Sequence, residues 1–233
     1  MILLGSLVNS LAIIGGSLLG TVLRNISEQT KDTVTKGIGI GVVALGLQMA
    51  VKTNAFTLII ISLCLGAMLG EALKIEERMN HLGLFLQKHF AKNNGNFAEG
   101  FVTSTLIFVI GSMGIIGAIQ SGVSGDNQTL YTKAVMDGFM AIMLTASLGL
   151  GVLFSSLPVF IYQDLITLVA SVLISYVPHT LITILMAGIS QIGGLLIIAI
   201  GLNVMRLTKI RVSNFLPSLV LMVIFQSLQY FYF

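Results

Sequence analysis

Long apolar stretches alternate with short polar connections along nearly the whole chain, and within each stretch the apolar positions are continuous. Runs such as "TLIIISLCLGAMLG" and "LITILMAGISQIGGLLIIAIG" lack the every-second-residue alternation of a half-buried strand. A lipid-facing barrel strand would also end after about 10 residues. A helix needs roughly 20 residues to cross a hydrocarbon core, and the pattern predicts eight such spans. They cover about 2–23, 37–51, 55–72, 100–121, 131–154, 157–177, 181–205 and 212–231. The second is short for a full crossing unless it begins earlier, within "KDTVTKG". The expected fold is an all-α polytopic membrane protein forming a single membrane domain.

The connections orient these spans, because loops on the cytoplasmic side retain Lys and Arg. The first, third, fifth and seventh loops carry Arg24, Lys31, Lys36, Lys74, Arg78, Lys88, Lys92, Arg206, Lys209 and Arg211, whereas the others carry only Lys52 and Lys133. Odd-numbered loops are therefore expected in the cytoplasm and both termini outside. Within the third connection, Ile75, Met79, Leu82 and Leu86 recur at helical spacing among charged residues. That pattern predicts an amphipathic helix lying on the cytoplasmic surface.

A gapless shift of 155 residues sets "GIGVVALGLQMAVKTN" (39–54) against "GLLIIAIGLNVMRLTK" (194–209), and pairs Asn9 with Asp164, Gln48 with Asn203 and Glu71 with Gln226. Identity over the whole overlap is near chance level, so the paired polar positions carry the suggestion. The shift equates spans one to three with spans six to eight. An offset of five spans makes the repeat inverted, with halves 1–72 and 157–231 and spans four and five, 100–154, between them.

Composition agrees with a lipid environment: 55% of residues are apolar and 9% are charged. The net charge of +3 sits in Lys and Arg beside apolar runs, so it reads as topology rather than as a nucleic-acid surface. Cys64 is the single cysteine and lies inside a span, which excludes an internal disulfide and a Cys-based metal site. The first segment has no basic leader and reads as a retained span. His81 and His89 lack a second ligand at metal spacing, and His179 lies in the turn "YVPHT". No metal and no cofactor is expected.

Polar groups at membrane depth need a reason to be there, since a central charge costs roughly 2.5–3.5 kcal/mol on insertion scales. Asp137 lies about two turns into span five, with Lys133 four residues before it on the same helix face. It is either half of an interfacial ion pair or an acid facing a polar cavity. Asp164, beside Gln163, has no basic residue within a turn and needs a partner on another helix or a proton. The two acids are expected to enter from opposite surfaces, which argues against an aspartyl dyad. Asn9, Gln48, Gln120, Gln191 and Asn203 are carboxamides at similar depth, either interhelical bonds or ligands. Glu71 is at the end of span three, where its carboxylate reaches water, and reads as structural.

Glycines four apart in "GGSLLG", "GIGIG" and "GAMLG" suit close helix packing in lipid and leave room for a homodimer. The stretch "GSMGIIGAIQSGVSGD", 111–126, differs, with Gly111, Gly114 and Gly117 at three-residue steps. Together with Ser112 it predicts an interrupted fourth span whose freed backbone could coordinate a ligand. Loop, elbow and helix motifs of common enzyme classes are missing, so no catalytic residue is assigned and the chain is read as non-enzymatic.

The blocks "GSLVNSLAIIGGSLLGTVLR", "GEALKIEERMNHLG", "EGFVTSTLIFVIGSMGIIGAIQSGVSGD", "LYTKAVMDGF", "LGLGVLFSSLPVFIYQ" and "IGLNVMRLTKIRVSNFLP" together resemble the bacterial membrane proteins grouped as domain of unknown function 554. The resemblance covers essentially the whole chain in order and implies a bacterial inner-membrane location without supplying a substrate. Where such proteins often have Gly-Pro-Met, this chain has Gly111-Ser112-Met113, which leaves any break there to glycine alone. Asp137 and Asp164, the carboxamides and the glycine-rich span point to a small secondary transporter or ion-coupled carrier for a small polar solute or cation. The alternative is a non-transporting membrane scaffold or regulatory module acting through helix contacts; an intramembrane enzyme comes third.

Overall fold

The computed structural model describes residues 3–22, 28–51, 55–90, 96–173 and 177–232, and within them the regular structure is helical throughout. Eleven helices follow in order: α1 Leu4–Val22, α2 Glu28–Ala50, α3 Phe56–Ala72, α4 Ile75–Phe90, α5 Phe97–Val109, α6 Ser112–Ser124, α7 Gln128–Leu148, α8 Gly151–Phe154, α9 Ser156–Leu173, α10 His179–Val204 and α11 Pro217–Tyr232. A 3-10 turn, Val212–Phe215, precedes α11. Helices dominate because backbone groups in lipid must be satisfied within their own segment.

Five helical stretches among the described residues are long and apolar enough to cross a membrane, or up to seven if each of two bent pairs is one span. The bent pairs are α3 with α4, at 55°, and α5 with Met113–Ser124 of α6, at 58°. Several expected boundaries move. The second helix begins at Glu28, and its apolar span at Asp32 rather than near 37. The fifth ends at Leu148, where Gly149 adopts φ +88° and its N–H bonds to the Thr145 carbonyl. That left-handed conformation suits glycine, and the stretch after it, expected at the end of span five, joins the sixth as Gly151–Val172. At 21 residues α7 is long enough to cross, but its two charges lower its apolarity below that of the five. Helix α10 closes differently. Arg206 takes φ 60°, its N–H bonding Asn203 O while that of Leu207 bonds Leu202 O, the pairing of a Schellman end built without glycine.

The chain forms two compact units, each drawn from both of the halves expected from the repeat. One comprises Met1–Ile38, Asn80–Val109 and Met113–Ile174. In it α1 runs parallel to α7 at a constant register: Gly5 faces Asn127 and Leu130, Gly16 faces the Gly138 carbonyl, and Gly20 faces the Ile142 carbonyl. Helix α9 runs antiparallel to α1, with Ser10 Oγ donating to Ser156 O at 3.3 Å. Phe97, Phe101, Phe108, Leu130 and Leu144 fill this unit's interior.

The other unit comprises Gly39–Met79, Ile110–Ser112 and Ser175–Phe233. Here α2 and α10 cross antiparallel through glycine. A Cβ at Gly46 would lie 2.6 Å from Gly194 O, and one at Gly39 would lie 2.9 Å from Gly201 O. Helix α3 packs antiparallel on α11 in the same way, Gly66 against Ser218 and Gly70 against Asn214. With nothing but hydrogen on one side, backbones approach closely enough for dispersion contacts that replace a hydrophobic driving force in lipid.

Helix α4, expected to show an apolar stripe, has Ile75, Met79 and Leu86 half-buried and Gly83 buried against Ala98, while Leu82 is exposed. Of the basic residues on which sidedness rests, Arg24, Lys52 and Lys92 lie outside the described residues, as does the side chain of Lys31.

Adding a side chain at a backbone crossing should therefore destabilise the fold. Gly46→Val and Gly194→Val are each expected to cost about 1–3 kcal/mol, the usual range for overpacking. Thermal unfolding in detergent would register this as a lowered midpoint. Gly15→Ala, whose Cβ would meet no atom within 4 Å, should leave the midpoint unchanged.

A buried ion pair as candidate functional site

Lys133 and Asp137 are one helical turn apart on α7, on the side turned toward α1 and α9. Their exposures are 7% and 8%, so the pair is enclosed by protein. Lys133 Nζ donates to Asp137 Oδ2. The same oxygen accepts from Asn9 Nδ2 of α1 at 3.1 Å. Asn9 Nδ2 also donates to Gln163 Oε1 of α9 at 3.3 Å. One carboxamide thus joins three helices. Asn9 and Gln163 are 0% and 1% exposed, so their bonds compete with no solvent.

The other acid lies one turn away. Ser6 Oγ, on the same face of α1 as Asn9, donates to Asp164 Oδ1. The expectation that Asp137 and Asp164 lie toward opposite surfaces does not hold, because residues 6 and 9 of one helix meet Asp164 and Asp137 respectively. The constant register of α1 on α7, with α9 antiparallel beside it, brings both acids to the same level of α1. Asp164 is half-buried and carries one serine hydroxyl, whereas Asp137 is fully enclosed.

The glycine-rich stretch meets this cluster at one position. Gly111 lies in the bend between α5 and α6, and Gly114 and Gly117 lie inside α6. A Cβ at Gly114 would sit 3.1 Å from Lys133 Cε and 3.6 Å from Gln163 Nε2. Gly117 packs on Leu130 and Gly122 on the Thr167 carbonyl. Two of these glycines are therefore close-packing residues, and Gly114 is the one whose bareness admits the lysine stem.

The remaining sequence candidates do not join the cluster. Gln120 accepts a hydrogen bond from Thr129 Oγ1 at 2.6 Å across the α6–α7 turn. Asn203 Oδ1 accepts from Thr208 Oγ1 and the Ile210 N–H, ordering the loop after α10. Gln48 is exposed on α2, and Gln191 is buried in α10. The side chains of Ser112 and His179 lie outside the described residues. Glu71 accepts from Arg211 Nη1 at 2.7 Å and Asn214 Nδ2 at 2.6 Å, a structural role.

Sequence reading passed over Gln163, Ser6 and Asn127. Asn127 Oδ1 accepts from Ser121 Oγ at 2.8 Å and the Gly5 N–H at 3.1 Å, tying the start of α1 to the α6–α7 turn. Only its position beside a glycine-rich turn could have marked it. A shallow depression of about 550 Å³ lined by Asp126, Gln128, Tyr131, Thr132 and Val135 lies on the α7 face opposite Lys133 and Asp137. It is separate from the cluster.

Two charges out of water are stable only together, and removing one partner of a buried pair typically costs about 3–5 kcal/mol. Lys133→Met and Asp137→Leu should each destabilise on that scale in detergent unfolding. The double variant Lys133→Met/Asp137→Leu should recover most of the loss. A double-mutant cycle with no coupling would remove the pair from the structure's energetics.

Comparison with known proteins places this arrangement in a family. The family described as "Protein of unknown function (DUF554)" matches residues 4–227. The chain is 33% identical over 222 residues to "Uncharacterized membrane protein YdfK" of Bacillus subtilis (strain 168), covering 93% of each chain. It is 28% identical over 224 residues to "Uncharacterized protein YqgA" of Escherichia coli (strain K12), covering 94% of each. No solved structure matches it. A match spanning the α1, α7 and α9 residues of the cluster, together with these full-length relatives, means that the chain belongs to the DUF554 family of integral membrane proteins.

Proposed function

We propose that this protein is a small secondary transporter or ion-coupled carrier for a small polar solute or cation, with Asp137, Lys133, Asn9 and Gln163 as its binding centre. The observation that carries the reading is the enclosed Lys133–Asp137 pair bridged by carboxamides from two other helices. Ionisable groups inside a membrane protein are costly and mark ion or substrate pathways. A purely packing role would be served as well by apolar residues.

The helix directions support the rest of the reading. Eight crossings count both bent pairs as spans and add α7. On that count α1 and α7 are odd-numbered spans and should run parallel, as their register has them, with α9 opposed. The inverted repeat draws support from its three equated pairs, α1 with α9, α2 with α10 and α3 with α11, each of which packs antiparallel. Moreover, a shift of 155 residues turns Gly39 into Gly194 and Gly46 into Gly201, so the contacts Gly39–Gly201 and Gly46–Gly194 exchange with one another, as a two-fold requires. With odd-numbered loops in the cytoplasm, both termini face outside.

Purified protein in proteoliposomes should catalyse uptake of at least one solute from a panel of amino acids, organic acids and cations. Asp137→Asn should lower that flux at least 100-fold and Asp164→Asn should lower it measurably, with gel filtration confirming both folds. Well-folded wild-type protein without flux across the panel would sink the carrier reading, as would an Asp137→Asn variant at full rate.

A scaffold or regulatory module is the second reading, and one observation favours it. Gly41, Ala44 and Gln48 share an outward face of α2, and a Cβ at Gly41 would meet no atom within 4 Å. A small-residue face with one exposed carboxamide suits a second copy of the chain. On this reading the protein is a homodimer by light scattering in mild detergent, and Gly41→Leu together with Gln48→Leu converts it to a monomer. A wild-type monomer would remove this support.

A further inference from the structure

We infer that the Lys133–Asp137 pair recognises a small zwitterion with one primary ammonium and one carboxylate, the ligand's carboxylate taking Lys133 and its ammonium taking Asp137 and Asn9 Oδ1. This rests on the carrier reading and names its substrate class.

Charge balance is the first argument. The Lys133–Asp137 pair is one cation and one anion, both buried. A lone cation entering it would leave two cations on the Asp137 carboxylate, because Asp164 is half-exposed and held by Ser6 a turn away on α1, and a lone anion would do the converse. Either outcome leaves an unmatched charge in a low-dielectric interior, which is strongly disfavoured. A zwitterion exchanges one internal ion pair for two ligand pairs at no change in net charge. Both side chains can separate without either being abandoned.

Hydrogen-bond inventory is the second and independent argument. Asn9 is fully buried, its Nδ2 is committed to Asp137 and Gln163, and its Oδ1 has no partner among the described residues. A buried acceptor without a donor is unusual and costly. The vacant atom is an acceptor beside a carboxylate, the pair of groups a ligand ammonium needs for two of its three protons. An anionic end cannot use that oxygen, so the polarity of the site is set: ammonium toward Asn9 and Asp137, carboxylate toward Lys133.

Space is the third. The lysine stem passes over bare backbone at Gly114, where a Cβ would stand 3.1 Å from Cε and 3.7 Å from Cδ. A long flexible chain lying on glycine can swing aside as the ligand's carboxylate draws its ammonium from Asp137. A methyl group there would hold the stem against that movement.

Thermal shift and calorimetric titration of the full-length protein in detergent test this with glycine, alanine and β-alanine as probes. Methylammonium, acetate and sodium chloride at matched ionic strength serve as half-ligands. At least one zwitterion should raise the unfolding midpoint and bind at least 10-fold tighter than any half-ligand. Asn9→Leu should weaken binding about 10-fold, and Gly114→Ala should weaken it as well. Lys133→Met/Asp137→Leu, which keeps the interior neutral, should abolish it.

Sodium or methylammonium acting as well as the zwitterions would overturn the inference in favour of a simple cation site. Absence of any zwitterion response, in protein that carries flux of another solute in proteoliposomes, would overturn the substrate class and leave the carrier reading standing. Absence of both response and flux would overturn both.

Discussion

The unit containing the ion pair depends on how closely α1 lies on α7. Gly5, Gly16 and Gly20 let the two backbones run side by side in parallel at one register, and that register carries Asn9 to Asp137 and Ser6 to Asp164. A wider separation would remove the carboxamide of Asn9, which links α7 to α9. Lys133 and Asp137 would then face each other with fewer hydrogen bonds, and attraction within a buried pair repays desolvation only when further bonds complete it. Backbone contact and buried charge are therefore two aspects of one arrangement, the first making the second tolerable.

The second unit solves a different problem with the same means. Its helices carry few charges, and α2 meets α10, and α3 meets α11, through glycines placed opposite carbonyl or amide groups. Polar groups concentrate instead at the junction of α3, α4 and the turn before α11. There Glu71 receives Arg211 and Asn214, while Ser62 donates weakly to Met222 Sδ nearer the middle of α11. One unit thus holds charge in its interior and the other keeps it at helix ends, although both are built on close backbone approach.

Much of the helical layout was legible because continuous apolar runs bounded by charged residues have few alternatives in lipid. The bend at Gly111 was also foreshadowed, since three glycines at three-residue steps follow an apolar run there. What the sequence could not carry was register. Asp137 and Asp164 lie 27 positions apart on helices assigned opposite directions, and simple depth counting separated them. Only the contact of Ser6 and Asn9 with both neighbours brings them to one level. Gln163 drew attention merely as a neighbour of Asp164, because a carboxamide reveals nothing of its role until its partners are known. Gly149 misled the boundary of the fifth span for a related reason: a left-handed glycine inside an apolar run looks like any packing glycine.

The joint between α4 and the 3-10 turn has a consequence for how the protein opens locally. The Asn214 carboxamide oxygen accepts the Glu76 N–H at 2.8 Å, and the Glu76 carboxylate accepts the Ser213 N–H at 2.9 Å. Each segment closes the loose end of the other, so neither first turn can fray while its counterpart remains folded. The two ends, 138 residues apart along the chain, act as a single latch. Their amide protons belong to one cooperative opening event, and the loosening of either end is transmitted to the other without any movement in between.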